Sequence, residues 1–157
     1  MLDKIDRDII DLLRIDARMS FRELGERVYL SANTVADRVR RLQAENVLLG
    51  FHAEVNLAAL DLPLQALVDI KMARETSAES FEAAIETIPG IIEATLMTGT
   101  YDYMLRVACH DQLDLMRLIE ALRERAGVQD TFSRVILHNK RVQTPFLRPL
   151  PSITSKK

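Results

Sequence analysis

The 157-residue chain contains only one cysteine, and it lacks long apolar runs. The single cysteine, Cys109, excludes an internal disulfide framework and a cysteine-rich zinc site. No window approaches the roughly 18 consecutive apolar residues that a membrane span requires, and residues 1–4 do not open a signal peptide. These absences predict a cytoplasmic protein, with the thiol in a reducing compartment.

The chain also lacks an excess of charge of one sign. Its 21 lysines and arginines oppose 23 aspartates and glutamates, a net charge of −2. This balance by itself does not indicate a nucleic-acid partner, so such a partner must show as a local pattern. The 48% of hydrophobic residues is enough to build the core of one ordinary domain or of two small ones.

The first 50 residues predict three helices, because an apolar stripe follows a capping residue three times. Asp3 precedes the first stripe and Ser31 precedes the third. Ser20 and Glu23 have the spacing of a capping box at the start of the second helix. The order of two short helices with a tight turn between them resembles a helix-turn-helix unit.

The outward face of the third helix carries side chains of the types that read DNA in a recognition helix. With Val35 inward, a rotation of about 100° per residue exposes a polar set with Arg38 at its flank. This set is Asn33, Thr34, Asp37, Arg40 and Arg41. Arginine and asparagine make paired hydrogen bonds to base edges, and arginine also neutralises phosphate. The alternative is a solvated helix with ordinary charge pairs, for example between Asp37 and Arg41.

After the third helix the apolar period changes to two. The alternation over residues 47–55 predicts a strand that leaves the helical domain, followed by a linker to residue 63. Strands and helices then alternate in two βαβ units, which predicts a four-stranded antiparallel sheet with two helices on one face. The predicted strands are 65–73, 91–98, 101–109 and 128–137, and the predicted helices are 78–88 and 112–125. The other face of such a sheet is partly apolar and favours cover by a second copy.

A polar hairpin lies at the centre of this repeat. Gly99-Thr100 fits a two-residue turn, and hydroxyls, free amides and a carboxylate surround it at residues 98–103. These groups suit a zwitterion, whose ammonium would go to Asp102 and whose carboxylate would go to amides and hydroxyls. The alternative is an ordinary hairpin with a polar tip.

The order and spacing of these segments resemble the Lrp/AsnC, or feast/famine, family of transcription regulators over about residues 2–137. The residues that carry the resemblance are Leu2-Asp3-x-x-Asp6-x-x-Ile9-Ile10, Asp16-Ala17-Arg18, Glu23-Leu24, Leu30-Ser31-x-x-Thr34-Val35-x-x-Arg38-Val39-x-Arg41-Leu42, Gly50-Phe51-x-Ala53, Thr98-Gly99-x-Tyr101-Asp102-Tyr103 and residues 131–137.

The resemblance implies an α+β protein with an N-terminal helix-turn-helix domain and a C-terminal ferredoxin-like βαββαβ domain. We assign residues 1–50 and 64–138 to these domains, 51–63 to the strand and linker between them, and 139–157 to a basic C-terminal strand or tail. The family implies dimers that assemble into tetramers or octamers, binding of double-stranded DNA, and an amino acid or similar small metabolite bound between dimers. It implies no cofactor, no metal and no catalytic residue.

By the same resemblance, two sets of residues form the sites. The DNA-facing set is Ser31, Asn33, Thr34, Asp37, Arg38 and Arg41, to which the outward face adds Arg40. The effector-binding set is Thr98, Gly99, Thr100, Tyr101, Asp102, Gln129 and Thr131. The chain departs from the family at three positions where glycine is common, which here hold Tyr29, Asn46 and Asp61. We expect the backbone of Asn46 to adopt the left-handed conformation.

An enzyme is the competing class, because siroheme decarboxylases resemble this family in both domains. His52, His110 and His138 lie in different segments without ligand spacing, which argues against that reading. Cys109 shares the inward parity of Leu105 and Val107, which favours a buried structural thiol over a nucleophile. A regulator that acts only through hetero-oligomers would need a degraded third helix, whereas this one is intact.

Overall fold

The computed structural model describes residues 1–140, which form two compact units, 1–54 and 55–140. Most of the predicted basic tail therefore lies outside the described residues. Among the described residues, no helix combines the length and the apolar character that crossing a bilayer requires.

The first unit contains α1 (Lys4–Ile15), α2 (Phe21–Val28) and α3 (Ala32–Ala44). The predicted caps are confirmed. The Asp3 carboxylate accepts from the Asp6 amide at 2.7 Å, and Ser20 and Glu23 form a reciprocal capping box. The Ser31 hydroxyl accepts from the Thr34 amide at 3.2 Å. Each helix therefore begins where its side chains satisfy otherwise free N–H groups.

The inward stripes pack into one small core. Ile9, Leu24 and Val35 are fully buried, one from each helix. The turn between α2 and α3 approaches α2 closely, because the Leu30 amide donates to the Gly25 carbonyl at 2.9 Å. A Cβ on Gly25 would lie 2.4 Å from the Leu30 carbonyl oxygen, so this approach requires glycine.

The three residues that replace the glycines common in the family all have left-handed backbone conformations. Tyr29 ends α2 with φ 58°, Asn46 has φ 54° and Asp61 has φ 62°. The expectation for Asn46 is thus confirmed. Asparagine and aspartate tolerate this conformation, whereas an aromatic residue adopts it at a cost of about 1–2 kcal/mol.

The strand expected over residues 47–55 is absent from this chain, which corrects the prediction. The Val47 and Leu48 amides instead donate to the Leu42 carbonyl and close the end of α3. Residues 49–56 pair with no strand among the described residues, and Leu49 is 86% exposed. An alternating pattern forms a strand only where a neighbour supplies the hydrogen bonds. In the predicted linker, Leu57–Leu60 form a short 3₁₀ helix.

The second unit contains β1 (Leu64–Met72), α4 (Ala78–Ile85), β2 (Ile91–Leu96), β3 (Tyr103–Cys109), α5 (Gln112–Arg125) and β4 (Val128–Val135). The strands form one antiparallel sheet in the order β2-β3-β1-β4. This βαββαβ arrangement confirms the predicted ferredoxin-like fold, and the whole chain is α+β.

Both helices pack on the same face of the sheet. Val68 and Ile70 point into this core together with Phe81 and Leu122, and all four are fully buried. The Tyr103 ring lies 4.6 Å from the Phe81 ring, between centroids. Its hydroxyl donates to Glu82 Oε1 at 2.6 Å, and this contact together with burial raises the pKa of Tyr103 to about 12.

Cys109 ends β3 inside this core with 4% of its surface exposed, as its parity predicts. Burial first, then the charges of Asp114 and Asp111, raises the pKa of its thiol. A protonated, enclosed thiol is a packing group rather than a nucleophile.

Candidate DNA-binding helix and effector hairpin

The first turn of α3 differs from the first turns of the other α-helices in the described residues. Those turns contain an acid, whereas the first turn of α3 contains none. Its Ser31 and Thr34 hydroxyls lie 2.8 Å apart. The partial positive charge of the helix N-terminus is therefore not offset by a carboxylate of the helix itself, which favours an external anion such as phosphate.

The outward face of α3 is arranged as its periodicity predicts. The exposed members are Ser31, Asn33, Thr34, Asp37, Arg40 and Arg41, and Arg38 is half-buried. Arg40 and Asp37 form an exposed ion pair at 2.7 Å, with 72% and 73% of their side chains accessible. The polar face is thus accessible, and its contact with DNA stays a prediction.

Two arginines of this face share one buried carboxylate. Asp6 on α1 is 0% exposed, and its Oδ1 accepts from Arg38 Nη1 at 2.7 Å. Its Oδ2 accepts from Arg41 Nη2 at 2.6 Å. Arg38 Nη1 also donates to Asp3 Oδ2 at 2.7 Å. We call these four residues the ion cluster; it joins α1 to α3.

The ion cluster favours the charged forms of Asp3 and Arg38. The amide of Asp6 and then the guanidinium of Arg38 hold the pKa of Asp3 below its usual range. In turn, hydrogen bonds to Asp3 and Asp6 raise the pKa of Arg38. A hydrogen bond to an ionised group stabilises that ionised form.

The predicted effector hairpin is longer than a two-residue turn, which corrects the expectation for Gly99-Thr100. The Met97 amide donates to the Asp102 carbonyl at 2.8 Å, with residues 98–101 between them. Gly99 lies at φ 127°, a conformation that side chains rarely adopt. β3 begins at Tyr103, which pairs with Ile70 of β1, and Asp102 directly precedes it.

Asp102 anchors this hairpin. Its amide donates to the Ile70 carbonyl at 2.8 Å, and its carboxylate accepts from the Met72 amide at 2.8 Å and from Lys71 Nζ at 3.0 Å. The Met72 amide first, and Lys71 second, lower the pKa of Asp102. A carboxylate offers about four acceptor positions, so capacity for a ligand ammonium remains beside these contacts.

The structure brings the predicted effector residues to one end of the sheet. Thr131 pairs with Ile70, the residue whose carbonyl binds Asp102, and Gln129 is exposed nearby on β4. The Tyr101 and Phe132 rings stack with centroids 6.5 Å apart, which links the hairpin to β4. Thr98, Gly99 and Thr100 are exposed at the tip.

A cavity of about 440 Å³ lies at the other end of β2 and β3. Its lining includes Pro89, Cys109 and Arg125, and none of the predicted effector residues. Beside it, oxygen and nitrogen atoms of His110, Asp111 and Asp114 lie within 4.8 Å of one another, a proximity that the sequence spacing did not suggest. All three already have protein contacts, with Asp111 capping α5 and Asp114 paired with Arg117.

Sequence reasoning missed the role of Asp6 and of Lys71 in these two sites. A signal for Asp6 exists, because it lies three residues before Ile9 and seven before Leu13, on the inward face of α1. An acid on an apolar stripe needs a partner, and the arginines of α3 supply it. No comparable signal exists for Lys71, whose contact with Asp102 depends on the register in which β3 pairs with β1.

Comparison with known proteins covers both units. A family model of the AsnC-type helix-turn-helix domain matches residues 2–43, and one of the Lrp/AsnC ligand binding domain matches residues 65–145. The leucine-responsive regulatory protein of Salmonella typhimurium is 36% identical over 139 residues, which are 87% of this chain and 85% of that protein. Its Haemophilus influenzae counterpart is 34% identical over 149 residues, 93% of this chain and 89% of that protein.

Solved structures give the same result. A feast or famine regulatory protein of Mycobacterium tuberculosis, complexed with L-methionine, has TM-score 0.84 and 30% identity, covering 96% of this chain and 100% of that one. A transcriptional regulator of Neisseria meningitidis, also in an L-methionine complex, has TM-score 0.83 and 27% identity over 93% and 96% of the two chains. These relatives are named as regulators, which confirms the prediction of a regulator rather than an enzyme. The chain belongs to the Lrp/AsnC family of DNA-binding transcription regulators.

Proposed function

We propose that α3 enters the DNA groove with its outward face, and that an amino acid bound at the hairpin modulates this binding. The observation that carries the first part is the accessible polar face of α3, together with an N-terminal turn that contains no acid. The residues assigned to DNA are Ser31, Asn33, Thr34, Asp37, Arg38, Arg40 and Arg41. In this proposal the asparagine and arginines read base edges, and the helix start and Arg40 contact phosphates.

Fluorescence anisotropy tests the placement of α3. The probe is the duplex that the full chain enriches from a random-sequence pool, titrated across a salt series. Arg40→Ala is expected to weaken binding and to reduce the salt slope by about 1, the effect of losing one phosphate contact. Arg7→Ala, an exposed arginine on α1, is the control and is expected to change neither. Equal effects of the two variants would contradict the placement.

For the effector we propose an α-amino acid with an apolar side chain. Relatives are named leucine-responsive, and two similar structures are L-methionine complexes. At the hairpin, the threonine hydroxyls and free amides of residues 98–101 suit a carboxylate, and Asp102 suits an ammonium group. Tyr101, Gln129 and Thr131 complete the proposed set.

Isothermal calorimetry with L-leucine and L-methionine tests this site. Thr98→Val removes a hydroxyl at the exposed tip without touching the Asp102 anchor, and it is expected to weaken binding several-fold. Thr87→Val, at an exposed position in the turn after α4, is the matched control. If the wild-type chain binds DNA but neither amino acid, the proposed DNA binding stands and the proposed effector class is rejected.

We further propose that the regulator acts in the cytoplasm as a dimer that assembles into tetramers or octamers. The sheet face opposite the helices leaves Phe132 52% exposed, and residues 47–55 keep an alternating apolar pattern without a partner strand. A second copy of the chain would cover this sheet face and would supply a partner strand for residues 47–55. Sedimentation velocity is expected to find no stable monomer at micromolar concentration, and a monomeric chain would contradict this assembly.

A further inference from the structure

The ion cluster cancels the positive charge that the sequence of α3 displays. Residues 31–43 contain three arginines and one aspartate, an excess of two positive charges. Two of these arginines, Arg38 and Arg41, hydrogen-bond to Asp3 or Asp6, and the third pairs with Asp37. With the two carboxylates of α1 included, the face carries no net charge.

The same contacts fix where the guanidinium groups lie. Asp6 binds one arginine on each oxygen, and its side chain has no surface exposed to water. A guanidinium has five N–H donors. Arg41 uses one nitrogen, Nη2, for its hydrogen bond to Asp6, and 48% of its side chain stays exposed. The group is therefore held in one position with donors left for an external acceptor.

These two effects have opposite consequences for matched and unmatched DNA. Charge attraction acts on any duplex, because every duplex carries the same phosphates. Hydrogen bonds to base edges act only on the matching sequence, and they gain from donors that are already ordered. A buried acid that neutralises and orders two arginines therefore lowers affinity for unmatched DNA more than for matched DNA.

We infer that Asp6, assisted by Asp3, is a positioning residue that makes the DNA binding of α3 selective. This inference rests on the proposed placement of α3 against DNA. Without the α1 carboxylates, Arg38 and Arg41 become mobile cations that bind phosphate on any sequence.

The test compares three isosteric variants of the full chain. Asp6→Asn removes the shared charge. Asp3→Asn removes the second charge, yet asparagine keeps the N-cap of α1, so this variant retains the fold even if Asp6→Asn does not. Asp8→Asn is the control, because Asp8 is an exposed acid of the same helix for which the structure shows no contact with α3. All three change the net charge equally.

Affinity is measured by anisotropy for the duplex selected by the wild-type chain and for a scrambled duplex of equal length. We expect Asp6→Asn to bind the scrambled duplex several-fold more tightly, with a salt slope steeper by about 1, and to lose about tenfold in the ratio of the two affinities. Asp3→Asn is expected to shift in the same direction by less, and Asp8→Asn to keep the wild-type ratio.

A ratio that stays at the wild-type value in both folded variants would overturn the inference, as would equal weakening on both duplexes, which is the result of a purely structural role. If circular dichroism shows that Asp6→Asn does not fold, the affinity ratio of Asp3→Asn alone tests the inference. A failure of the proposed function looks different, since the wild-type chain then selects no duplex or Arg40→Ala changes nothing.

Discussion

The two units of the chain differ in the size of their apolar cores and in how each binds a buried carboxylate. Among the described residues, the contiguous apolar cluster of unit 55–140 contains fifteen buried residues around one face of a sheet, whereas that of unit 1–54 contains six. Each unit also buries a carboxylate: Asp6 in the smaller unit is fully buried and binds two arginines, whereas Asp69 in the larger unit is 8% exposed and binds one, Arg134. The units therefore differ in the size of the apolar core and in what the buried charge serves, since the arginines bound by Asp6 belong to the proposed DNA-binding surface.

The largest expected effect concerns the core of unit 55–140. Phe81→Ala removes a fully buried ring that packs on Tyr103, and we expect a loss of about 3–5 kcal/mol in the free energy of unfolding. Hydrogen exchange is expected to show the loss in β1 and β3, with the amides of α1 still protected. Leu113→Ala, at a 59% exposed position on α5, is the control and is expected to cost less than about 0.5 kcal/mol. Equal loss of protection in both units would break the comparison.

A smaller effect, dependent on pH, is expected at the hairpin anchor. Asp102→Asn loses the charged hydrogen bonds to the Met72 amide and Lys71, about 1–2 kcal/mol near pH 7. Because folding lowers the pKa of Asp102, this stability is present above the unfolded value of about 4 and is lost as the pH falls through the folded value. Urea unfolding between pH 7 and pH 2 is therefore expected to bring wild type and variant together in acid. A gap that persists at the lowest pH would refute the charged anchor.

The smallest effect has the opposite sign. Tyr29→Gly relieves an aromatic residue of a left-handed backbone, and we expect the helical unit to gain about 0.5–1 kcal/mol, since part of the relief is offset by the freer unfolded chain. Asp61→Gly in the other unit is expected to gain less, because aspartate tolerates this conformation. Thermal melts of both variants measure the difference. A destabilised Tyr29→Gly chain would show that the tyrosine makes a contact that outweighs its strain.

Much of the fold could be predicted from local signals. The caps at Asp3, Ser20 and Ser31 and the change of apolar period determine the helices and the order of strands, since these features act within a few residues. The strand over 47–55 could not be settled, because an alternating pattern does not tell whether a partner strand is present.

The candidate sites were predictable in composition and less so in contacts. Periodicity gave the outward face of α3 but could not indicate that Arg38 and Arg41 reach Asp6, more than 30 positions away. Likewise, Asp102 was identified as the acid of the hairpin, while its contacts with Lys71 and Met72 depend on the register between β1 and β3, which no local pattern encodes.

The position of Tyr29 allows a fluorescent reporter to be placed in the helical unit. The chain has no tryptophan and three tyrosines, and Tyr29 is the one that lies in the unit 1–54, at the turn before α3 and 93% exposed. Tyr29→Trp would place a single indole beside the proposed recognition helix, where arrival of a duplex changes its surroundings. Emission excited at the red edge of indole absorption would then follow that turn alone, in the intact chain and without an attached dye.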